Sequence, residues 1–150
     1  MEDLTLVIPA KFESESLPTF LKEISNLNCK KLIVLEENDI KTIESIKHFN
    51  DVQLLFQKNK GYGAALREGV SFTKTNYFCI INADGSMNPI YLQQMLNELK
   101  KKNLKFLFAS RYEKPGGGSD DDDFITSFGN FIFTKIGNIF FSLNISDILY

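Results

Sequence analysis

The sequence predicts an α/β protein with a mostly parallel sheet flanked by helices. Two observations carry that prediction. Short apolar runs alternate with helical periodicities five times between Leu4 and Ala109. The runs are also nearly continuous in apolar residues, as strands are when both faces of a sheet are covered.

The elements follow in order. Leu4-Thr5-Leu6-Val7-Ile8 is a first strand, stopped by Pro9. Ser16-Leu17-Pro18 reads as a helix start, with Ser16 as the cap and proline in the first turn. Leu17, Phe20, Leu21 and Ile24 then repeat at the helical spacing of a core stripe. Lys31 to Leu35 is a second strand, and Thr42 to Phe49 a helix with Ile43 and Ile46 inward. Val52 to Phe56 is a third strand. Gly61 to Phe72 is a helix opened by glycines, with Ala65, Leu66 and Val70 on its buried side. Asn76 to Ile81 is a fourth strand, Pro89 to Lys101 a helix, and Leu104 to Ala109 a fifth strand. Pro115-Gly116-Gly117-Gly118-Ser119 and Asp120 to Asp123 form a flexible acidic loop. A helical pattern rich in Phe and Ile resumes from Phe124 to Leu143.

Composition narrows the classes. At 150 residues, 43% hydrophobic and 24% charged, one globular domain is expected. A net charge of −2 gives no electrostatic basis for nucleic acid as the main partner. Cys29 and Cys79 match no metal spacing, and Cys79 falls in an apolar run that reads as core. Met1-Glu2-Asp3 leads directly into a strand without the pattern of a secretory signal, so a cytoplasmic location is expected. No apolar run reaches the roughly 20 residues that span a bilayer. Phe131, Phe133, Phe140 and Phe141 suit either a core or a helix lying on a membrane surface, and core is the commoner use.

Four segments fall at the carboxyl ends of successive strands: Pro9 to Glu13, Glu36 to Asp39, Lys58 to Gly63, and Asn82 to Ser86. Parallel strands place such ends along one edge, where α/β sheets bind ligands. Acids, a lysine and close-approach glycines suit a nucleotide with a metal-bridged diphosphate. Each segment also has a plain reading. Glu13 suits a solvated first-turn acid, Glu36 and Glu37 loop charge, and Asp84 a turn cap ahead of Gly85. Gly61-x-Gly63 follows the third strand and lacks both the dinucleotide spacing and a P-loop ending. The Asn82 segment is not an EF-hand, because its glycine comes too early and no Glu closes the loop. His48 carries no assigned chemistry, and Asp120 to Asp123 reads as solvated charge.

In this order the segments resemble the family 2 glycosyltransferases of the GT-A fold. The likeness is greatest to the branch of dolichyl-phosphate mannosyltransferase and related polyprenyl-phosphate sugar transferases. Pro9-Ala10-Lys11-Phe12-Glu13 matches the opening P-A-x-N-E, with Phe12 in place of Asn. Glu36 to Thr42 resembles the V-D-D segment, with Glu36 and Glu37 for the aspartates. Asn59 to Ala65 matches N-x-G-x-G-x-A, Asn82-Ala83-Asp84 the D-A-D segment, and Ser110-Arg111 the S-R segment. Phe128-Gly129-Asn130 matches the next helix, and Ser146 to Tyr150 the start of D-x-x-x-G-[FY]-R.

The resemblance implies transfer of a sugar from a nucleotide-diphosphate donor, in cell-envelope or glycolipid biosynthesis. Pro9, Lys11, Glu13, Asp39, Lys60, Gly61, Asn82, Ala83, Asp84 and Arg111 would bind the nucleotide sugar. Asp84, with Ser86, would hold Mg2+ or Mn2+, and Asp84 and Asp147 would be catalytic. A polyprenyl-phosphate acceptor would place the enzyme peripherally on a membrane. Residues 1–112 would form the donor half, 113–123 a loop, and 124–150 the start of the acceptor side. The family pattern continues with Gly and Arg after Tyr150, so a C-terminally truncated domain is expected, completed by a further segment or a partner chain. The alternative is a truncated or non-catalytic nucleotide-sugar-binding module.

Overall fold

The computed structural model describes residues 1–109, 124–141 and 145–146. It contains β1 (Leu4–Pro9), α1 (Ser16–Glu23), β2 (Lys30–Leu35), α2 (Ile40–Ile46), β3 (Val52–Phe56), α3 (Tyr62–Phe72), β4 (Tyr77–Ile80), α4 (Leu92–Lys101) and α5 (Phe124–Phe141). The chain divides into two compact units, Met1–Asn97 and Glu98–Tyr150.

The first unit holds a four-stranded sheet in the order β3-β2-β1-β4. All three ladders are parallel, with Val7 opposite Leu32 on one side and Ile80 on the other. Every residue of β1 is buried. Alternation along the strands sends Leu4, Leu6, Ile8, Ile33 and Leu35 to one face, where Leu17, Phe20 and Leu21 of α1, Ile46 of α2, and Leu92 and Leu96 of α4 cover them. Val7, Leu32 and Val34 point to the opposite face, against Ala65 of α3. Both faces of the central strands β1 and β2 are therefore dry, which explains their unbroken apolar runs, while the edge strands β3 and β4 expose Gln53, Phe56 and Phe78. Lys31 is buried, and its ammonium meets Asp51 at 2.5 Å. The bond from Lys31 is the main cause holding the Asp51 carboxyl below its ordinary range. Both cysteines are free and half-buried, and burial pushes the Cys79 thiol up to about 11, in keeping with an inert packing role.

Several boundaries differ from the sequence reading. Among the described residues, 104–109 join no ladder, and Phe106 and Phe108 are exposed with ring centroids 5.5 Å apart. An apolar run becomes a strand only where a partner edge meets it, and that meeting is not encoded locally. Ser16 is the first residue of α1, not its cap: Glu15 occupies that position, and the Ser16 hydroxyl donates to the Glu13 carboxylate. Asp39 caps α2, which starts two residues earlier than expected. A short 3-10 turn, Pro89–Tyr91, precedes α4. The buried side of α3 is Ala65 and Gly69, while Leu66 and Val70 are half-buried.

Gly69 lets α3 lie close to the sheet. A Cβ there would sit 2.6 Å from Val7 Cγ1 and 2.9 Å from Val34 Cγ2. Both valines are fully buried and stiff at χ1, so neither can yield cheaply. Gly69→Ala is expected to lower stability by about 1–3 kcal/mol in chemical denaturation, despite alanine's better helix propensity. A neutral or stabilising result would mean that the helix can lift without cost.

Candidate functional site

The strand ladders run into their loops without a break, which fixes where the loops begin. Ala10 N–H donates to Val34 O at 2.9 Å, Gln57 N–H to Leu35 O at 3.0 Å, and Ile81 N–H to Val7 O at 3.1 Å. Four loops consequently leave the sheet along one edge. They enclose a cleft of about 210 Å3 lined by Pro9, Ala10, Lys11, Glu13, Glu36, Gln57, Gly61, Tyr62, Ala65, Asn82, Ala83 and Asp84. Full ligand pockets usually run to roughly 300–1,000 Å3, so this cleft encloses part of a nucleotide-sized molecule and leaves the rest at the surface.

The cleft contains three acids and one cation. Lys11 Nζ lies 3.5 Å from Glu36 Oε1, pairing the ends of β1 and β2 across the opening. Asp84 follows β4. Its Oδ1 accepts from both the Ser86 N–H at 2.9 Å and the Ser86 hydroxyl at 2.6 Å, and Gly85 turns the chain at φ +82°. Both turn bonds fall on one carboxylate oxygen. The turn-cap reading and the ligand reading of Asp84 are thus compatible, because Oδ2 takes no part in either bond. Across the cleft, Tyr62 OH donates to Asn82 Oδ1 at 3.1 Å.

Asp39 has a different place from the one expected. It is 5% exposed and lies outside the cleft lining. Oδ2 accepts from Phe12 N–H at 2.7 Å, and Oδ1 from Thr42 N–H at 3.4 Å. One carboxylate therefore caps α2 and fastens the loop after β1. Thr42 adds a second tie, its hydroxyl accepting from Glu13 N–H at 3.0 Å. Phe12 needs this support: its φ is +60° and its ring is 78% exposed. Left-handed backbone costs a residue with a Cβ roughly 1–2 kcal/mol, and a charge-assisted bond of about 1.5–3 kcal/mol offsets it.

Of the sequence-predicted residues, the cleft thus gathers Pro9, Lys11, Glu13, Gly61, Asn82, Ala83 and Asp84. Lys60 and Ser86 are exposed outside its lining, and Asp39 is behind it. Arg111 and Asp147 lie outside the described residues. Among the described residues, no three His, Cys, Asp or Glu side chains converge as a metal cage. Sequence reasoning missed Gln57 as a lining residue and Glu68 as a loop anchor, while Tyr62 fell within the Lys58 to Gly63 segment without being singled out. Gln57 was legible as the first residue after the third strand. Glu68 had no local signal.

This arrangement defines an α/β protein with an acidic cleft at the carboxyl edge of a parallel sheet. The chain matches the model of glycosyl transferase family 2 over residues 5–148, and it belongs to that family. It is also similar to uncharacterized glycosyltransferases of Mycobacterium bovis and Mycobacterium tuberculosis, at 31% identity over 98 residues. The match covers 65% of this chain and 44% of each relative, less than half the length of those proteins. At Phe12 the family's opening segment has Asn, which tolerates left-handed backbone better than Phe does.

If Asp39 acts mainly as the tie between two loops, Asp39→Ala should cost about 1–3 kcal/mol of stability by thermal or urea unfolding. An unchanged unfolding free energy would mean that the carboxylate does not hold the loops.

Proposed function

We propose that this chain is the donor-binding part of a glycosyltransferase that moves a sugar from a nucleotide-diphosphate donor to an acceptor. The observation that carries the reading is the convergence of Lys11, Glu13, Gly61 and Asp84 on one cleft at the sheet's carboxyl edge. Family membership supports the same reaction class.

The residues suit a divalent cation bound in the manner of Mg2+, through one or two carboxylates plus substrate phosphates rather than a protein cage. Asp84 would hold it through Oδ2, with Ser86 fixing the carboxylate's orientation from behind. A bound Mg2+ or Mn2+ would neutralise the departing nucleoside diphosphate. The bond between the sugar's anomeric carbon and the diphosphate oxygen breaks, and one to the acceptor oxygen forms. Lys11, on the exposed lip, would meet phosphate oxygens by exchanging its partner Glu36 for them. Glu13 would accept from ribose or base donors. An acceptor phosphate is already anionic and needs little base help, whereas a sugar hydroxyl needs a carboxylate base, the role proposed for Asp147. Arg111 is proposed to meet donor or acceptor phosphate.

Calorimetric titration with UDP-, GDP- and dTDP-linked sugars, with and without Mn2+, tests the reading. One of them should bind in a metal-dependent way, and Asp84→Ala should weaken that binding at least about tenfold. Metal-dependent binding without turnover would favour a binding module. No metal-dependent binding to any donor would overturn the site.

For the acceptor, a polyprenyl phosphate at a membrane surface is favoured by α5. This helix is inverted for an aqueous setting. Asn130 and Thr134 are buried, while Phe131, Phe133, Phe140 and Phe141 are 56–77% exposed, contrary to the core role expected from sequence. Thr134 donates to Asn130 Oδ1 at 3.3 Å, and Asn138 pairs with both the N–H and the C=O of Ile145. The polar side thus has partners, and the aromatic side is turned outward. Lys135 adds a cation 5.1 Å from the Phe131 ring. An apolar face flanked by a lysine suits an interfacial helix, and no helix of the described residues is long and apolar enough to cross a membrane. In liposome flotation the protein should rise with vesicles, and replacing Phe131 and Phe140 by Ser should return it to the soluble fraction. Equal flotation of both forms, or of neither, would contradict the membrane reading.

A further inference from the structure

We propose that Glu68 is a positioning residue for the donor site, gathering the loop between β3 and α3 so that Gly61 and Tyr62 stand ready at the cleft. The proposal rests on the donor-site reading above and extends it to a residue outside the cleft lining. Glu68 lies in the second turn of α3, and its carboxylate reaches back over the loop. Oε2 accepts from Lys58 N–H at 2.7 Å, while Oε1 accepts from Asn59 N–H at 3.0 Å and from Asn59 Nδ2 at 2.9 Å. Gln57 Nε2 holds the same residue from the other side, donating to Asn59 O at 2.6 Å. Asn59 is therefore fixed at its N–H, its C=O and its side chain.

Two residues later Gly61 takes φ +102°, and its carbonyl accepts from the N–H groups of Ala64 and Ala65 as α3 begins. Tyr62 then extends to Asn82. A short loop pinned at Asn59 and Tyr62 has little freedom left at Gly61, whose backbone lines the cleft. Binding a ligand against a loop that is already ordered avoids an ordering cost at the moment of binding. A surface carboxylate can be satisfied by water alone and needs no protein donor. This carboxylate instead takes three donors from two consecutive loop residues, one of them through two different groups.

The test compares wild type with Glu68→Ala and Glu68→Gln, with Glu98→Gln as a surface control. Hydrogen exchange reads the amides of Lys58 and Asn59, and calorimetry reads donor binding. Glu68→Ala should speed exchange at both amides and raise the donor Kd about tenfold, with the melting midpoint little changed. Glu68→Gln, which keeps one acceptor oxygen for Asn59, should fall between the two, a graded rescue that a purely structural role would not give. Faster exchange with an unchanged donor Kd would overturn the proposal while leaving the donor site intact. Unchanged exchange would overturn it as well. If the wild type itself binds no donor, the donor-site reading fails first and takes this proposal with it.

Discussion

The whole site depends on β1 being buried on both faces and paired on both edges. A strand so enclosed cannot shift by one residue without sending Leu6 and Ile8 to the face that now holds Val7. Its register with β2 and β4 is thereby fixed, and so are the points at which Ala10, Glu36 and Asn82 leave the sheet. The chemistry-bearing residues are far apart in sequence. They meet because three parallel ladders end on the same edge.

A second level of order is carried by carboxylates that do not face the ligand. Asp39 joins the start of α2 to the loop after β1, and Glu68 joins α3 to the loop after β3. Each takes backbone N–H groups that would otherwise face solvent or remain unpaired. The acids at the cleft therefore divide into two kinds. Glu13, Glu36 and Asp84 line it, and Asp39 and Glu68 stiffen its walls. Sequence pattern does not separate these kinds: Asp39 stands near a strand end just as Glu13, Glu36 and Asp84 do, and Glu68 lies inside α3 with nothing local to mark it.

That limit explains which parts of the fold and site were legible. The four paired strands were: β1 and β2 because burial on both faces leaves unbroken runs such as Leu32-Ile33-Val34-Leu35, and the partly exposed edge strands β3 and β4 because they are short runs rich in apolar residues. The convergence of Lys11, Glu13, Gly61 and Asp84 followed from parallel topology alone. The 104–109 segment has the same apolar character as those strands, yet pairing is a property of its neighbours and not of its own residues. Asp39 was legible as an acid near the edge but not as a cap, since α2 starts at Ile40 and not at Thr42, and only that earlier start puts Asp39 in the capping position. The outward face of α5 was ambiguous for another reason. Phe and Ile all round a helix fit a core and a lipid surface equally well, and only the burial of Asn130 and Thr134 tells which side is inside.

The central claim is that a nucleotide diphosphate and a divalent cation meet at Asp84. Paramagnetic broadening by Mn2+ tests it most directly, read on backbone amides in the presence of the nucleoside diphosphate that binds. Broadening should need both Mn2+ and nucleotide, be centred on the amides of Ala83 to Ser86, and fade toward Ala10 and Gly61. Broadening centred elsewhere, for example on Asp120 to Asp123, or independent of nucleotide, would contradict it.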